Sequence, residues 1–298
     1  MKKIITLIFC CLILTTCDDG DIITVQLDFG DTFEACGAIV FYKTKDDPAE
    51  SLSVQITSTD LTLQDILESE TPLVFTINGS SNTLHYRTYN SVNSELFCND
   101  IPPSDIDIRE DYESTSGTVT FVSVLTEDDN DGIPAEFEDI NGNGDLEDDD
   151  TDGDGLPNYL DDDDDGDNVR TATEKPNYTD ADRLSNAQDS DGDGTPDYLD
   201  DDDDDDGVLT RDEEFFSQDQ NPTNDVTNNE VGPDYLNLEI TTSIPATAYR
   251  EHIIKQTFEV SMVVENIDLE ILSQDVLDFG TLNDNATTDS RTFTPDFN

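Results

Sequence analysis

The sequence predicts a mainly β protein in which an antiparallel β-sandwich-like body carries an inserted, irregular array of acidic repeats. Two observations lead to this fold class. Segments with apolar residues at every second position flank the centre of the 298-residue chain, a spacing typical of half-buried strands. The centre, residues 127–214, holds 37 of the 72 Asp and Glu residues against four Lys and Arg, and these acids follow a repeated pattern.

The N-terminal flank contains most of the strand patterns. The first has Ile23, Val25, Leu27 and Phe29 on one face, and the others are at 38–42, 52–57, 73–77, 84–89 and 118–125. A hairpin loop is expected at 78–81 and a helical turn at 61–68, with Asp60 as its N-cap. These short segments, separated by turn signals, favour a sandwich or a barrel.

The C-terminal flank continues the same alternation. It predicts strands at 236–240, 258–264 and 267–271, followed from Asn283 by a polar tail that we expect to be loosely ordered. The expected organisation is a signal peptide at 1–17, a β-rich region at 18–126, acidic repeats at 127–214, a polar linker at 215–234 and a second β-rich region at 235–298. Because so short a second region rarely folds alone, we favour its completing the 18–126 domain over two separate β-units.

The N-terminus has the pattern of an export signal. Met1-Lys2-Lys3 precedes an apolar run at 4–14 that is too short to span a bilayer, and the run ends in Leu14-Thr15-Thr16-Cys17. This ending resembles the lipobox of bacterial lipoproteins, which implies a lipid on Cys17 that anchors the chain to a bilayer. The next residues, Asp18 and Asp19, resemble the short acidic signal that sends some bacterial lipoproteins to the outer face of the outer membrane. Ordinary signal cleavage nearby is the alternative. Cys36 and Cys98 then remain, either as a disulfide or as two free thiols.

The net charge of −59 excludes some partners and favours others. Binding to nucleic acid needs Lys and Arg to neutralise phosphates, so no nucleic-acid partner is expected. Attraction to anionic lipid through basic residues is disfavoured for the same reason. Excess carboxylate indicates cations as partners.

The acids of the central region recur at a fixed spacing. Residues 150–161 are repeated 39 residues later at 189–200, with Gly, Pro, Tyr and Leu kept in register. Ca²⁺ takes six to eight oxygen ligands, which binding loops supply from alternate acids, a Gly turn and a closing acid. Two sets follow this spacing and close with Glu: Asp202, Asp204, Asp206 and Glu213, and Asp163, Asp165, Asp167 and Glu174. Asn168 replaces the Gly of the second set and tolerates positive φ.

Further loops close with Asp. Their candidate ligands are Asp139, Asn141, Asn143, Asp145 and Asp150; Asp150, Asp152, Asp154 and Asp161; and Asp189, Asp191, Asp193 and Asp200, with an incomplete first unit at Asp129 and Asp131. The shared acids and absent helices make residues 129–213 resemble bacterial thrombospondin type 3 repeats, which implies a string of calcium ions in the loops. A solvated acidic spacer is the alternative. We expect several Ca²⁺ ions to bind, with affinities of roughly 10⁻⁴–10⁻³ M.

Motifs for catalysis are absent from the sequence: it has no nucleophile elbow, HExxH, phosphate loop or CxxC pair, and the two histidines, His85 and His252, are expected to be structural. We therefore expect a non-enzymatic surface lipoprotein, acting as a calcium-rigidified stalk or adhesion module. The alternative is a glycan- or protein-binding accessory of a nutrient-uptake system, and an enzyme with an unrecognised site is a third hypothesis. A surface protein or glycan is the expected partner.

Overall fold

The structure is a computed structural model that describes residues 27–297 except 38, 59, 94, 100, 102, 216, 270 and 272–274. The described residues contain ten strands and one α-helix. The strands are β1 (Thr32–Cys36), β2 (Val40–Asp46), β3 (Ala49–Ile56), β4 (Leu73–Ile77), β5 (Asn82–Tyr89), β6 (Ile108–Ser114), β7 (Gly117–Asp128), β8 (His252–Glu265), β9 (Val276–Leu282) and β10 (Thr288–Phe293), and the helix is α1 (Leu63–Leu67).

All ten strands belong to one sheet. The order is β4-β7-β8-β9-β1-β2-β3-β5-β6, and β10 pairs with the first half of β8. Every neighbouring pair is antiparallel except β1 and β9, which run parallel, with Thr32 opposite Thr281 and Phe33 opposite Leu282. The connections from β4 to β5 and from β6 to β7 run between the two ends of this order, so β4 and β5 do not form the expected hairpin and the sheet curves into a nearly closed barrel. The expectation of a mainly β body is confirmed, but the body is barrel-like and its sheet is mixed.

The apolar core lies inside this sheet. Alternate residues of each strand point inward, because successive side chains of a strand face opposite sides. Phe33 and Phe41 pack edge to face with ring centroids 6.2 Å apart, and the Phe41 ring lies 4.7 Å from that of Phe121. Phe279 completes this group from β9, 6.3 Å from Phe33. Strands from both flanks of the acidic centre therefore share one core.

Residues 129–251, which we call the acidic insertion, connect β7 to β8. These two strands are paired along their length, and Asp128 at the end of β7 lies opposite Lys255. The insertion begins and ends at neighbouring strands and packs against the body there, where Leu156 and Leu160 form an apolar cluster with Ile254 of β8. Its described residues contain seven 3₁₀ turns, at 135–137, 146–148, 158–160, 197–199, 210–212, 222–224 and 234–236, and Asx-type loops.

Several predictions of individual strands, of the helix cap and of the C-terminal tail were wrong. Residues 236–240, and the described residues 267–269 and 271, form no strand, although Leu269 is buried against the core, because alternation reports burial and does not guarantee a pairing partner. The tail predicted to be loose contains β10. The helix is capped by Thr62, whose side chain accepts the N–H of Asp65, and not by Asp60. Of the strand predicted around Ile23–Phe29, residues 27–29 form no strand and the rest lies outside the described residues.

The predicted linker at 215–234 is structured where it is described. It contains the 3₁₀ turn at 222–224 and the bridge between Asn228 and Gly232, and its Asp225 is fully buried. The chain that follows runs back along the insertion. There the N–H of Ile244 donates to the carbonyl of Asp212, and the N–H of Ala246 donates to the Asp212 carboxylate.

Candidate metal centre in the acidic insertion

One arrangement of three acids occurs three times in the insertion. Each copy has two Asp residues separated by one position and a Glu seven residues after the second Asp. We call them triad 1 (Asp129, Asp131, Glu138), triad 2 (Asp165, Asp167, Glu174) and triad 3 (Asp204, Asp206, Glu213). Glu138 was missed in the sequence analysis, although its spacing from Asp131 equals that of Glu174 from Asp167.

The same local structure builds each triad. One oxygen of each Asp accepts the backbone N–H two residues later, as in an Asx turn. In triad 2, Asp167 N donates to Asp165 Oδ1 at 3.3 Å, and Val169 N donates to Asp167 Oδ1 at 2.6 Å. The equivalent hydrogen bonds occur in triads 1 and 3. The residue that directly follows the second Asp has a positive φ in every copy: 111° at Gly132, 72° at Asn168 and 90° at Gly207. Asn168 thus has the conformation predicted for it.

The remaining oxygens of the triads are buried and lack hydrogen-bond partners among the described residues. They are the Oδ2 atoms of Asp129, Asp131, Asp165, Asp167, Asp204 and Asp206, together with both Oε atoms of Glu138, Glu174 and Glu213. Buried polar atoms are nearly always hydrogen-bonded, and a buried unpaired carboxylate is costly. The repetition of this pattern in three copies indicates a common ligand for the free oxygens.

Burial shifts the pKa values of these acids upward. It raises the pKa of Glu138 and of Glu213 to about 9, and in both cases neighbouring carboxylates add to the effect. Burial also raises the pKa of Glu174 well above its ordinary value, with Asp167 and Asp165 contributing. Without a cation the groups would therefore hold protons at neutral pH. A bound divalent cation would displace those protons.

Triad 2 acquires a fourth carboxylate from the next repeat. One oxygen each of Asp165, Asp167, Glu174 and Asp203 lie within 4.8 Å of one another, and all four residues are buried. Asp163, the first position of the predicted set, is also buried and both its oxygens lack a hydrogen-bond partner in the described chain. In triad 3 the corresponding Asp202 uses one oxygen to accept the N–H of Gly207, 3.1 Å, and keeps the other free of such bonds.

Two other predicted loops form open groups nearer the surface. Asp150, Asp152 and Asp154 bring one oxygen each within 4.8 Å of one another, and Asp189, Asp191 and Asp193 do the same. Asp200, at the end of the second loop, accepts the N–H of Asp202 at 3.2 Å.

The loop from Asp139 is different, because hydrogen bonds already occupy its polar groups. The Asp139 carboxylate accepts the N–H groups of Asn143 and Gly144, at 3.0 and 2.8 Å. The side-chain amides of Asn141 and Asn143 donate to Asp148, and Asp145 caps the following 3₁₀ turn.

His252, expected to be only structural, lies among the insertion's acids. Its Nδ1 is 2.6 Å from Asp161 Oδ1 and 3.2 Å from Asp162 Oδ1, and both His252 and Asp161 are buried. Burial alone would lower the pKa of His252, but the two carboxylates raise it to about 10. Asp161 thus has a side-chain cation beside it. His252 was missed because its neighbours come from 90 residues earlier in the chain.

The cysteines divide between the described and undescribed parts of the chain. Cys17 lies outside the described residues. Cys36 at the end of β1 and Cys98 in the segment after β5 form a disulfide across a sequence separation of 62 residues. Among the described residues, no helix has the length and apolar character needed to cross a bilayer.

What the triads can do chemically follows from their composition. They offer only carboxylate oxygens, which suit hard divalent cations such as Ca²⁺ and Mg²⁺. They are buried and closely spaced, which suits a structural ion better than a catalytic metal with an open position.

A comparison with known families finds a match inside the acidic insertion. Residues 128–183 match the family described as BamM C-terminal, over 56 of the 298 residues. No curated protein and no solved structure matches the chain. The predicted resemblance to thrombospondin type 3 repeats is therefore wrong: the family that matches this segment is a different one, and alternating acids with Gly turns are too general to separate the two. The matched segment contains triads 1 and 2 and ends inside the acidic insertion.

Proposed function

We propose that the acidic insertion binds several Ca²⁺ ions that stabilise its fold, and that the protein is a non-enzymatic accessory of protein assembly at the outer membrane. The metal part rests on one observation. In all three triads one oxygen of each Asp is used by the backbone, while the other Asp oxygen and both Glu oxygens are buried without hydrogen-bond partners in the described structure.

Calcium fits these oxygens better than other common cations. It accepts six to eight oxygen ligands in flexible geometry, whereas Mg²⁺ usually keeps several waters, which a buried triad excludes. An N- and S-poor ligand set also disfavours zinc. The ion would remove the repulsion among carboxylates and couple metal binding to folding of the insertion. Affinities of roughly 10⁻⁴–10⁻³ M are expected, as in extracellular modules.

The outer-membrane part rests on the family match and the N-terminus. The name BamM belongs to an outer-membrane assembly factor, and the match lies within the insertion. The Leu14-Thr15-Thr16-Cys17 sequence supports a lipid anchor in the same membrane. The insertion begins and ends beside the body and packs on β8, which supports a compact accessory over the extended adhesive stalk expected from the sequence.

Calcium binding is tested by titrating the mature chain with CaCl₂ in a calorimeter and following its far-UV circular dichroism. We expect saturable heat and a spectral change in the wild type, and fewer sites in D165N/E174Q. The control D182N/E136Q removes the same charges from two exposed acids of the insertion. No saturable heat in the wild type would overturn the metal proposal.

The cellular role is tested by deleting the gene and quantifying outer-membrane proteins by mass spectrometry of the isolated membrane. We expect β-barrel proteins to decrease, with restoration by the wild type and weaker restoration by D165N/E174Q or by Cys17→Ala. Unchanged protein levels after deletion, or fractionation of the wild type away from the outer membrane, would overturn this part and leave the metal proposal standing.

A further inference from the structure

We propose that Asp203 is a metal ligand of triad 2, and Asp164 of triad 1, so that each of these calcium sites is completed by the following repeat. This inference rests on the calcium binding proposed above and assigns ligands that the spacing of the acids does not. The two residues are equivalent, since Asp203 follows Asp164 by the 39-residue repeat. Each occupies the second position of its own loop, which contributes no ligand in a loop built on alternate acids.

A Thr side chain holds the backbone at each position. The N–H of Asp164 donates to Thr171 Oγ1, 3.1 Å, and the N–H of Asp203 donates to Thr210 Oγ1, 3.3 Å. Each Thr also donates its own N–H back to the loop, Thr171 to the Asp162 carbonyl and Thr210 to the Asp201 carbonyl. The two Thr residues are again 39 residues apart and fully buried. This repeated pair of hydrogen bonds fixes the backbone at Asp164 and at Asp203.

Neither acid has a hydrogen-bond partner for its carboxylate within the described chain. Both oxygens of Asp164 and both of Asp203 are buried and unpaired, and the residues are 1% and 2% exposed. Moving a carboxylate from water into a buried position without a hydrogen bond or a counter-charge costs free energy, so each of these two carboxylates needs a bound cation to stabilise it.

The surroundings of each acid are the triad of the preceding repeat. One Asp203 oxygen lies within 4.8 Å of oxygens from Asp165, Asp167 and Glu174. Asp164 occupies the equivalent place one 39-residue repeat earlier, is held by the equivalent Thr and is equally buried, and the repeat before it contains triad 1. Asp203 therefore reaches back to triad 2, and we assign Asp164 to triad 1 by the same relation.

Triad 3 shows what happens where the series ends. Asp164 and Asp203 each lie seven residues after the Pro of a Pro-x-Tyr-Leu sequence, at Pro157 and Pro196. The third such sequence begins at Pro233, and seven residues later the chain has Ile240. No carboxylate is supplied at that position. Ligand charge sets calcium affinity, so triad 3 should bind calcium more weakly than triad 2.

The test compares D203N with D205N, which removes the same charge two residues away, from an exposed acid whose positive φ Asn tolerates. Titration of the full mature chain with CaCl₂ should show one site weakened by about tenfold or more in D203N and wild-type binding in D205N. D203N should lower the calcium affinity of that site less in an E174Q background than in the wild type, because both residues bind the same ion.

Stability without calcium separates lost ligation from a damaged fold. In EDTA, D203N should unfold at a higher denaturant concentration than the wild type, because one carboxyl group fewer is buried among the acids of triad 2 without a cation; in calcium it should unfold at a lower one, because the ion loses a ligand. Lower stability in both conditions, or a calcium isotherm identical to that of D205N, would overturn the assignment. Absence of calcium binding by the wild type would instead overturn the proposed function.

Discussion

His252 Nδ1 lies 2.6 Å from Asp161 Oδ1, so the first residue of β8 is paired with an acid from the middle of the acidic insertion. The pair joins two parts of the chain that the sequence separates by 91 positions. It is buried on both sides, and Asp162 lies at 3.2 Å from the same nitrogen. The insertion is therefore fixed to the body by charge as well as by the apolar contacts of Ile254.

Replacing His252 by Ala should destabilise the protein strongly. Two buried carboxylates would lose their cation, and breaking a buried pair in this way costs about 3–5 kcal/mol of unfolding free energy. Urea unfolding measures the loss. The control is His85→Ala, since His85 pairs with Asp111 at 2.8 Å on the partly exposed face of the sheet. Equal losses in the two variants would show that the His252 pair does not fix the insertion.

Gly280→Ala should be more damaging than Gly30→Ala. Both glycines have φ near +75°, where Ala is strained by about 1–2 kcal/mol. A Cβ on Gly280 would also overlap the backbone of Asp31 where β1 and β9 meet, whereas Gly30 has open space around its Cβ position. The comparison of thermal midpoints isolates this overlap. Similar midpoints for the two variants would mean that the backbone at the parallel pairing of β1 and β9 moves to accommodate the added Cβ at little cost in stability.

Asp268 should contribute stability that disappears in acid. Its carboxylate accepts hydrogen bonds from Ser114 Oγ, from Thr115 N and Oγ1, and from Ser116 N, which hold its pKa at about 2. A carboxyl whose pKa is lower in the folded state stabilises the fold above its unfolded pKa of about 3.8, and loses that effect as pH falls toward 2.

The Asp268 prediction is measured as a difference between two proteins. The unfolding free energy of the wild type should exceed that of D268N at pH ~5 and approach it at pH ~2. The exposed Asp60, whose side chain accepts no hydrogen bond among the described residues, gives the control D60N. A difference that stays constant over this range would contradict the assigned hydrogen bonds.

Reduction of the Cys36–Cys98 disulfide should lower stability by about 4 kcal/mol, the loop entropy expected for a separation of 62 residues. Guanidinium unfolding with and without a reductant measures the change. C36S/C98S should match the reduced wild type and be insensitive to reductant. A double variant as stable as the oxidised protein would show that the bond adds nothing.

The sequence predicted best where a residue's own neighbours decide its structure. β4 was predicted with the bounds it has, and the interiors of β3, β5, β7 and β8 were found, because one face of each is buried and alternation reports it. β1, β6, β9 and β10 were missed. In β6, charged residues occupy most positions, and only the pairing with β5 makes this segment a strand.

The candidate site divides in the same way. The Asp pairs of the triads could be found from spacing, since the Asx turns that shape them are local. Asp164, Asp203 and His252 could not, because each acts on a group from another repeat or from the body. Exposed Asp205 and buried Asp203 are chemically identical in sequence, and only the packing of successive repeats distinguishes them.

The position of the acidic insertion also affects how fast the barrel can assemble. β7 and β8 form the most extensive strand pairing of the sheet, yet the 123 residues of the acidic insertion lie between them in the chain. Closing a flexible loop of that length costs about 3–4 kcal/mol more entropy than closing a two-residue turn. An insertion already compacted by bound ions brings the two strands together and avoids most of that cost. The rate at which the barrel assembles should therefore rise with calcium, although the triads lie outside the barrel.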